Sequence, residues 1–205
     1  MQTIGVIGAG AWGTALAQML SSEGRDVMLW AREADVVKDI NEHHENTEYL
    51  PSVELHENLT ASTSLEEVAQ RDVLLIVTPA QHLRSTLNEI KDQYREDQVI
   101  VICAKGIELE SGLLLSQVAQ DVIPNAKIAV MTGPTFASEV ARGLPAAVTI
   151  GVKDAELGAE LQEVLGGKRF RPYVTEDIVG VQLGGAIKNV IAIACGVVYG
   201  RQLGE

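Results

Sequence analysis

The sequence predicts an α/β protein built on a doubly wound, mostly parallel sheet. Three observations carry this. Short apolar runs recur through the chain as unbroken Val/Ile/Leu stretches rather than alternating ones, the pattern of strands covered on both faces. Segments with helical spacing separate them. A glycine-rich turn, "GAGAWG" at 8–13, joins the first apolar run to the first helix.

The elements follow in order. "TIGVIG" (3–8) reads as a buried strand and "AWGTALAQMLSSEG" (11–24) as a helix ending at a glycine. "DVMLWA" (26–31) is a second strand, followed by a polar helix and a loop that ends at Pro51. "DVLLIVTP" (72–79) is a strand stopped by proline, 82–94 has helical spacing, and "DQVIVICAKG" (97–106) is the next strand. A helix over 112–122 and a strand over 127–135 come next. Beyond Gly133 the pattern gives a short helix in "PTFASEVARG", a strand at 146–152, the helix "AELGAELQEVLGG" and the strand "FRPYVTED". A long apolar helix closes the chain.

The chain has 205 residues, with 16 Lys plus Arg against 28 Asp plus Glu and a formal net charge of −12. That balance argues against nucleic acid or an anionic membrane surface as a partner. Any anionic ligand must be held by local donors. The two cysteines, Cys103 and Cys195, both lie in apolar runs and read as reduced core residues of a cytoplasmic protein. No signal peptide is expected, because the N-terminus lacks a basic start and reaches glycines early. Residues 178–199 are long and apolar enough to suggest a membrane span, but Lys188 and Asn189 fall near the centre, where lipid burial is costly. A buried helix of a soluble protein is the expectation. His43, His44, His56 and His82 show no metal-ligand spacing, so no metal is predicted.

The G-x-G-x-x-G at 8–13 gains meaning from its strand–turn–helix context. Gly8 permits the sharp turn, Gly10 lets a pyrophosphate approach the backbone, and Gly13 lets the helix pack closely. The helix N-terminus offers N–H groups to phosphate. The competing reading is a tight turn without a ligand. This is a Rossmann-type arrangement, for which a carboxylate at the end of the second strand usually meets the ribose. Here the strand ends "LWAREAD". Arg32 could neutralise a 2′-phosphate and stack on adenine, favouring NADP. Alternatively Glu33 serves the ribose of NAD.

Lys105, in "CAKG", lies just past a strand end, where ligands of open sheets bind. "TGPTF" (132–136) also follows a strand, so Gly133 and Thr135 could line the same crevice. Lys188 sits within "LGGAIKNVIAIACG". A buried lysine has a lowered pKa, suited to a general acid/base near neutrality. Its competing reading is a lysine that snorkels at a helix surface.

Taken together, "IGVIGAGAWGTALA", "NTEYLP", "VTPAQH", "AKGIE", "MTGPTFASEVARGLPAAV" and "VGVQLGGAIKNVIAIACG" resemble bacterial NAD(P)-dependent glycerol-3-phosphate dehydrogenase from residue 3 to 205. The resemblance implies reduction of dihydroxyacetone phosphate to sn-glycerol 3-phosphate for phospholipid synthesis. It implies Lys188 as the catalytic lysine, with Asn189 helping to orient it. Lys105 would contact substrate and cofactor, and Gly133 and Thr135 the substrate. Trp12, Arg32, Tyr49 and Ala137 would join the glycine loop in holding NADP or NAD. Ala11 stands where many family members carry serine, a change that a backbone contact tolerates. Family members continue for more than a hundred residues as a helical domain supplying further substrate contacts. The expectation is therefore a dinucleotide-binding domain at 1–176 and the start of a truncated helical substrate domain at 177–205. The partner would be a phosphorylated small molecule, and a homodimer is compatible. Two alternatives stand beside this: a non-catalytic dinucleotide-binding module, and a dehydrogenase for another phosphorylated or carboxylated alcohol.

Overall fold

The computed structural model describes residues 3–203. Eight strands form one sheet: β1 (Thr3–Ile7), β2 (Asp26–Trp30), β3 (Thr60–Ser62), β4 (Val73–Ile76), β5 (Val99–Ile102), β6 (Lys127–Thr132), β7 (Ala146–Gly151) and β8 (Phe170–Thr175). Their order is β3-β2-β1-β4-β5-β6-β7-β8, and every pair is parallel except β6 with β7. The chain winds outward from β1 to β3, then returns to the other side of β1 through β4. The order therefore reverses between β1 and β4, and a crevice opens at their carboxyl ends.

Among the described residues there are eight α-helices: α1 (Ala11–Ser22), α2 (Ala34–His43), α3 (Leu65–Val68), α4 (Leu83–Ile90), α5 (Leu115–Val122), α6 (Ala137–Ala141), α7 (Ala155–Leu165) and α8 (Ile178–Gly200). The continuous apolar strands are explained by two separate cores. Ile4, Val6, Val73, Leu75, Val99 and Val101 point to one face, with Leu16 and Leu20 of α1 and Leu161 of α7. Ile7, Leu74, Ile76, Ile100 and Ile102 point to the other, with Leu83 and Leu87 of α4 and Val118 of α5. Successive strand side chains alternate faces. With both faces dry, neither parity can be polar.

Four expectations need correction. The edge strand β3 and the single-turn α3 were not expected, because three residues of "TAS" carry no strand signal of their own. β3 forms because Met28↔Thr60 to Trp30↔Ser62 pair with β2. Helix α5 starts at Leu115, not 112, and the preceding residues form a loop closed by a bridge between Ile107 and Leu114. Helix α8 is not buried. Val181 and Gln182 pack against the domain, but Ile187, Val190, Ile191 and Ile193 are all exposed. Cys195, expected in a core, is exposed on the same helix, whereas Cys103 is buried. The cause is common to both: only the first turns of α8 meet β6 and β7. Gly151 lies against Ile178 and Val181. Among the described residues, α8 is the one helix long and apolar enough to cross a membrane.

Candidate functional site

The reversal point of the sheet holds a cavity of about 360 Å³. Its walls come from three strand ends: Gly8, Ala9 and Gly10 after β1, Trp30, Arg32 and Glu33 after β2, and Val77, Thr78 and Pro79 after β4. Tyr49, His82, Ser85, Thr86 and Glu89 complete it. The glycine turn has the shape that the spacing implies. Gly8 has φ +120°, and a Cβ at Gly13 would stand 1.8 Å from the Gly8 carbonyl oxygen. The space that a Cβ on Gly10 would enter is open. Gly10 caps α1 with an extended backbone, and neither a capping side chain nor a first-turn carboxylate competes for that helix end. An anion can therefore reach the first-turn N–H groups.

A second observation concerns the wall of the same cavity. Thr78 is 6% exposed, and its buried Oγ1 has no hydrogen-bond partner among the described residues. A buried hydroxyl without a partner is costly, so this wall residue carries a polar group that the chain itself leaves unsatisfied. A dinucleotide fits these features: an open cradle at Gly10, an uncapped helix end, a flanking guanidinium and an unpartnered hydroxyl. NAD or NADP would be held by Gly8, Gly10 and the α1 N-terminus, with Arg32 and Glu33 at the ribose end.

The loop carrying Tyr49 is tied to the glycine turn by Asn46, which is 1% exposed. Its Nδ2 donates to the Ala9 carbonyl at 2.9 Å and to Thr14 Oγ1 at 2.8 Å. Its Oδ1 accepts from the Tyr49 N–H at 3.1 Å. One buried amide thus fixes both the glycine turn and the aromatic wall. Trp30 is anchored too, its Nε1 donating to the Thr63 carbonyl at 3.1 Å.

A second cluster lies at the ends of β5 and β6, under the start of α8. Lys105 Nζ donates to the Gly133 carbonyl at 3.3 Å. Ala104, Lys105, Thr132, Val181, Gln182 and Gly185 line a small pocket there. A Cβ at Gly185 would stand 2.9 Å from Thr132 Oγ1, so this glycine lets α8 sit close on β6. Gln182 locks the helix to α5, accepting from the Ser116 N–H at 2.9 Å and donating to Ser116 Oγ at 2.8 Å. The pKa of Lys105 is lowered, first by desolvation and then by the charge of Lys188.

The sequence-derived sites fall in three places. Gly8, Gly10, Arg32 and Tyr49 line the cavity. Lys105, Gly133 and Lys188 gather near β6 and α8. Trp12 and Ala137 are half-buried and pack against the main core rather than lining the cavity, as does Ala11. Thr135 is half-buried in the loop before α6. The nearly solvent-free amine expected at Lys188 is corrected: Lys188 is exposed, because α8 has left the domain surface by that turn. Asn189 is also exposed, and adjacent helical positions point apart. Three functional candidates escaped the sequence reasoning: Thr78, Asn46 and His82. The signal for Thr78 was present, since "VTP" ends the strand beside the reversal point. Among the described residues, no group of three or more His, Cys, Asp or Glu could hold a metal.

This fold and cavity define a doubly wound protein of the dinucleotide-binding class. The family profile described as NAD-dependent glycerol-3-phosphate dehydrogenase N-terminus matches residues 3–158, and its C-terminus counterpart matches 177–205. The chain belongs to the NAD-dependent glycerol-3-phosphate dehydrogenase family. It is 51% identical over 205 residues to glycerol-3-phosphate dehydrogenase [NAD(P)+] of Paramagnetospirillum magneticum, covering 100% of this chain and 74% of that protein. It is 49% identical over 202 residues to the enzyme of the same name from Parvibaculum lavamentivorans, covering 98% of this chain and 61% of that one. The crystal structure of glycerol-3-phosphate dehydrogenase from Coxiella burnetii superimposes with a TM-score of 0.90 at 35% identity, over 100% of this chain and 63% of that chain. The chain thus spans about three fifths of the length of most of these relatives.

Proposed function

We propose that the protein reduces dihydroxyacetone phosphate to sn-glycerol 3-phosphate, reversibly, with NADPH or NADH, supplying phospholipid synthesis in the cytoplasm. The observation that carries this reading is Lys105, just past the end of β5 and hydrogen-bonded to the Gly133 carbonyl beneath the start of α8, the helix that carries Lys188, in the sheet whose reversal point forms the glycine-turn cavity. Residues 1–176 form the cofactor-binding part, and 177–205 begin the substrate part.

The bound nicotinamide supplies the hydride. Lys188 Nζ gives a proton to the carbonyl oxygen as its bond to carbon becomes single, and takes it back in the reverse direction. Lys105 holds the same oxygen or the phosphate, and its lowered pKa keeps proton exchange accessible nearer neutrality than for an ordinary lysine. Two neighbouring cations also concentrate a phosphorylated anion against a chain of net charge −12. Fixed positive charge facing a developing alkoxide is where most rate enhancement of this kind arises.

The test is oxidation of NADPH or NADH on addition of dihydroxyacetone phosphate. Lys188→Ala should lower turnover by about 10²-fold or more while leaving dinucleotide binding intact. Undiminished turnover in that variant sinks the assignment of Lys188, and oxidation only with a different carbonyl substrate sinks the assignment of dihydroxyacetone phosphate. The exposure of Lys188 favours one second reading: the chain by itself binds dinucleotide without turnover. Binding with no oxidation would bear that out.

A further inference from the structure

The stretch that follows β4 has two working faces. Thr78, Pro79, His82, Ser85 and Thr86 line the dinucleotide cavity. The intervening Gln81 and Arg84 turn to the loop that begins at Lys105. Gln81 Nε2 donates to the Ile107 carbonyl at 2.9 Å, and its Oε1 accepts from the Leu109 N–H at 3.0 Å. Arg84 forks onto Glu108, Nε to Oε1 and Nη2 to Oε2, both at 2.9 Å. Its Nη1 reaches Asp121 on α5. Ser111 Oγ donates to the same Glu108 carboxylate.

We propose that Arg84 and Gln81 are positioning residues for Lys105, making the wall of the dinucleotide cavity and the lysine-bearing loop one rigid unit. The proposal rests on the reading of Lys105 as a substrate contact. Most surface ion pairs do little. This one differs in three ways. The Glu108 side chain is only 9% exposed. The contact is a two-point fork, which fixes orientation as well as distance. It also acts on a loop with little regular structure of its own, closed by the Ile107–Leu114 bridge. Gly106 adds close approach: it has φ +143°, and a Cβ there would stand 3.0 Å from the Ala80 Cβ. Only glycine adopts that backbone without strain. The grip therefore begins one residue beyond Lys105 and leaves its backbone little freedom. The side chain is thereby held at the Gly133 carbonyl, beside Gly185 at the start of α8. Glu108 is drawn away toward Arg84.

Competitive labelling of the intact chain with acetic anhydride across pH, read at Lys105 by mass spectrometry, tests this. In the wild type the Lys105 amine should titrate below the ordinary lysine range. In Arg84→Ala and in Glu108→Gln the loop should loosen, the midpoint should rise, and reactivity at neutral pH should fall severalfold. The double variant should go no further than either single one, because both cut the same link. Arg84→Lys keeps the charge but not the fork, so it should restore only part of the effect. Thermal melting checks folding. If Arg84→Ala does not fold, Glu108→Gln and Gln81→Ala carry the test. An unshifted Lys105 in folded variants overturns the proposal. The label reads the amine itself, so the test works equally on a chain without dehydrogenase activity. Loss of activity with an unshifted Lys105 would refute the positioning role alone.

Discussion

The Asn46 side-chain amide donates to the Ala9 carbonyl at 2.9 Å, across 37 positions of sequence. The contact ties the loop carrying Tyr49 to the glycine turn, so both walls of the dinucleotide cavity share one fixed point.

Asn46→Asp should therefore damage binding as well as stability. The carboxylate cannot donate to Ala9 and would place a charge in a site 1% exposed. A cost of about 1–3 kcal/mol in urea unfolding is expected from the lost donor alone. Dinucleotide affinity, read by fluorescence titration, should fall as well. Wild-type affinity in a folded Asn46→Asp chain would show that the turn holds its shape without this link.

Gly10 and Gly13 should separate binding from folding. Gly10 has φ −65° and ψ 177°, and its added Cβ would enter open space. Gly10→Ala should keep stability within about 0.5 kcal/mol but obstruct the dinucleotide. At Gly13 the added Cβ would collide with the Gly8 carbonyl oxygen, so Gly13→Ala should destabilise by about 1–3 kcal/mol through overpacking. Equal effects of the two substitutions on melting temperature would contradict this division.

The lowered pKa of Lys105 sets a sign for pH dependence. The folded state holds its protonated form less well than the unfolded chain does. Between the depressed folded value and the ordinary one, near 10.4, the unfolded chain binds more protons, so this group's contribution to stability rises with pH. Below the folded value its penalty is fully present. Lys188→Ala removes the second cause, so Lys105 should titrate higher, yet still below the ordinary value because desolvation, the larger cause, remains. Labelling of Lys105 in that variant checks the order of the two causes. A full return to the ordinary value would mean that Lys188 dominates.

The two thiols should behave oppositely. Burial pushes the Cys103 thiol well up, whereas Cys195 is exposed on α8. A thiol reagent should modify Cys195 in the native chain and reach Cys103 only after unfolding. On the same helix, Ile191→Ser and Ile193→Ser should change stability by no more than about 0.5 kcal/mol, since both side chains are exposed in this chain. Protection of Cys195, or a large loss of stability in those variants, would show α8 packed against something.

Much of this fold was legible before any coordinates. The central strands β1, β4, β5 and β6 announce themselves as nearly continuous aliphatic runs, because a strand covered on both faces has no polar parity to interrupt it. β3 does not, because "TAS" becomes a strand only through its pairing with β2. The glycine turn was legible because its three glycines answer three separate steric demands. The role of Asn46 was not, since nothing in "NTEYLP" says that its amide reaches the Ala9 carbonyl.

The sequence alone determined the winding of the sheet, the glycine turn at its reversal point and the family to which the residues point. These depend on local pattern: aliphatic runs, helical spacing and the places where only glycine fits. Tertiary structure alone decided which polar groups meet. It set Thr78 unpartnered in the cavity wall, brought Lys105 within reach of the charge on Lys188, and left Lys188 exposed where its apolar surroundings in sequence had suggested burial. Burial and pairing are properties of neighbours distant in the chain, and an apolar helix is dry only where something packs against it.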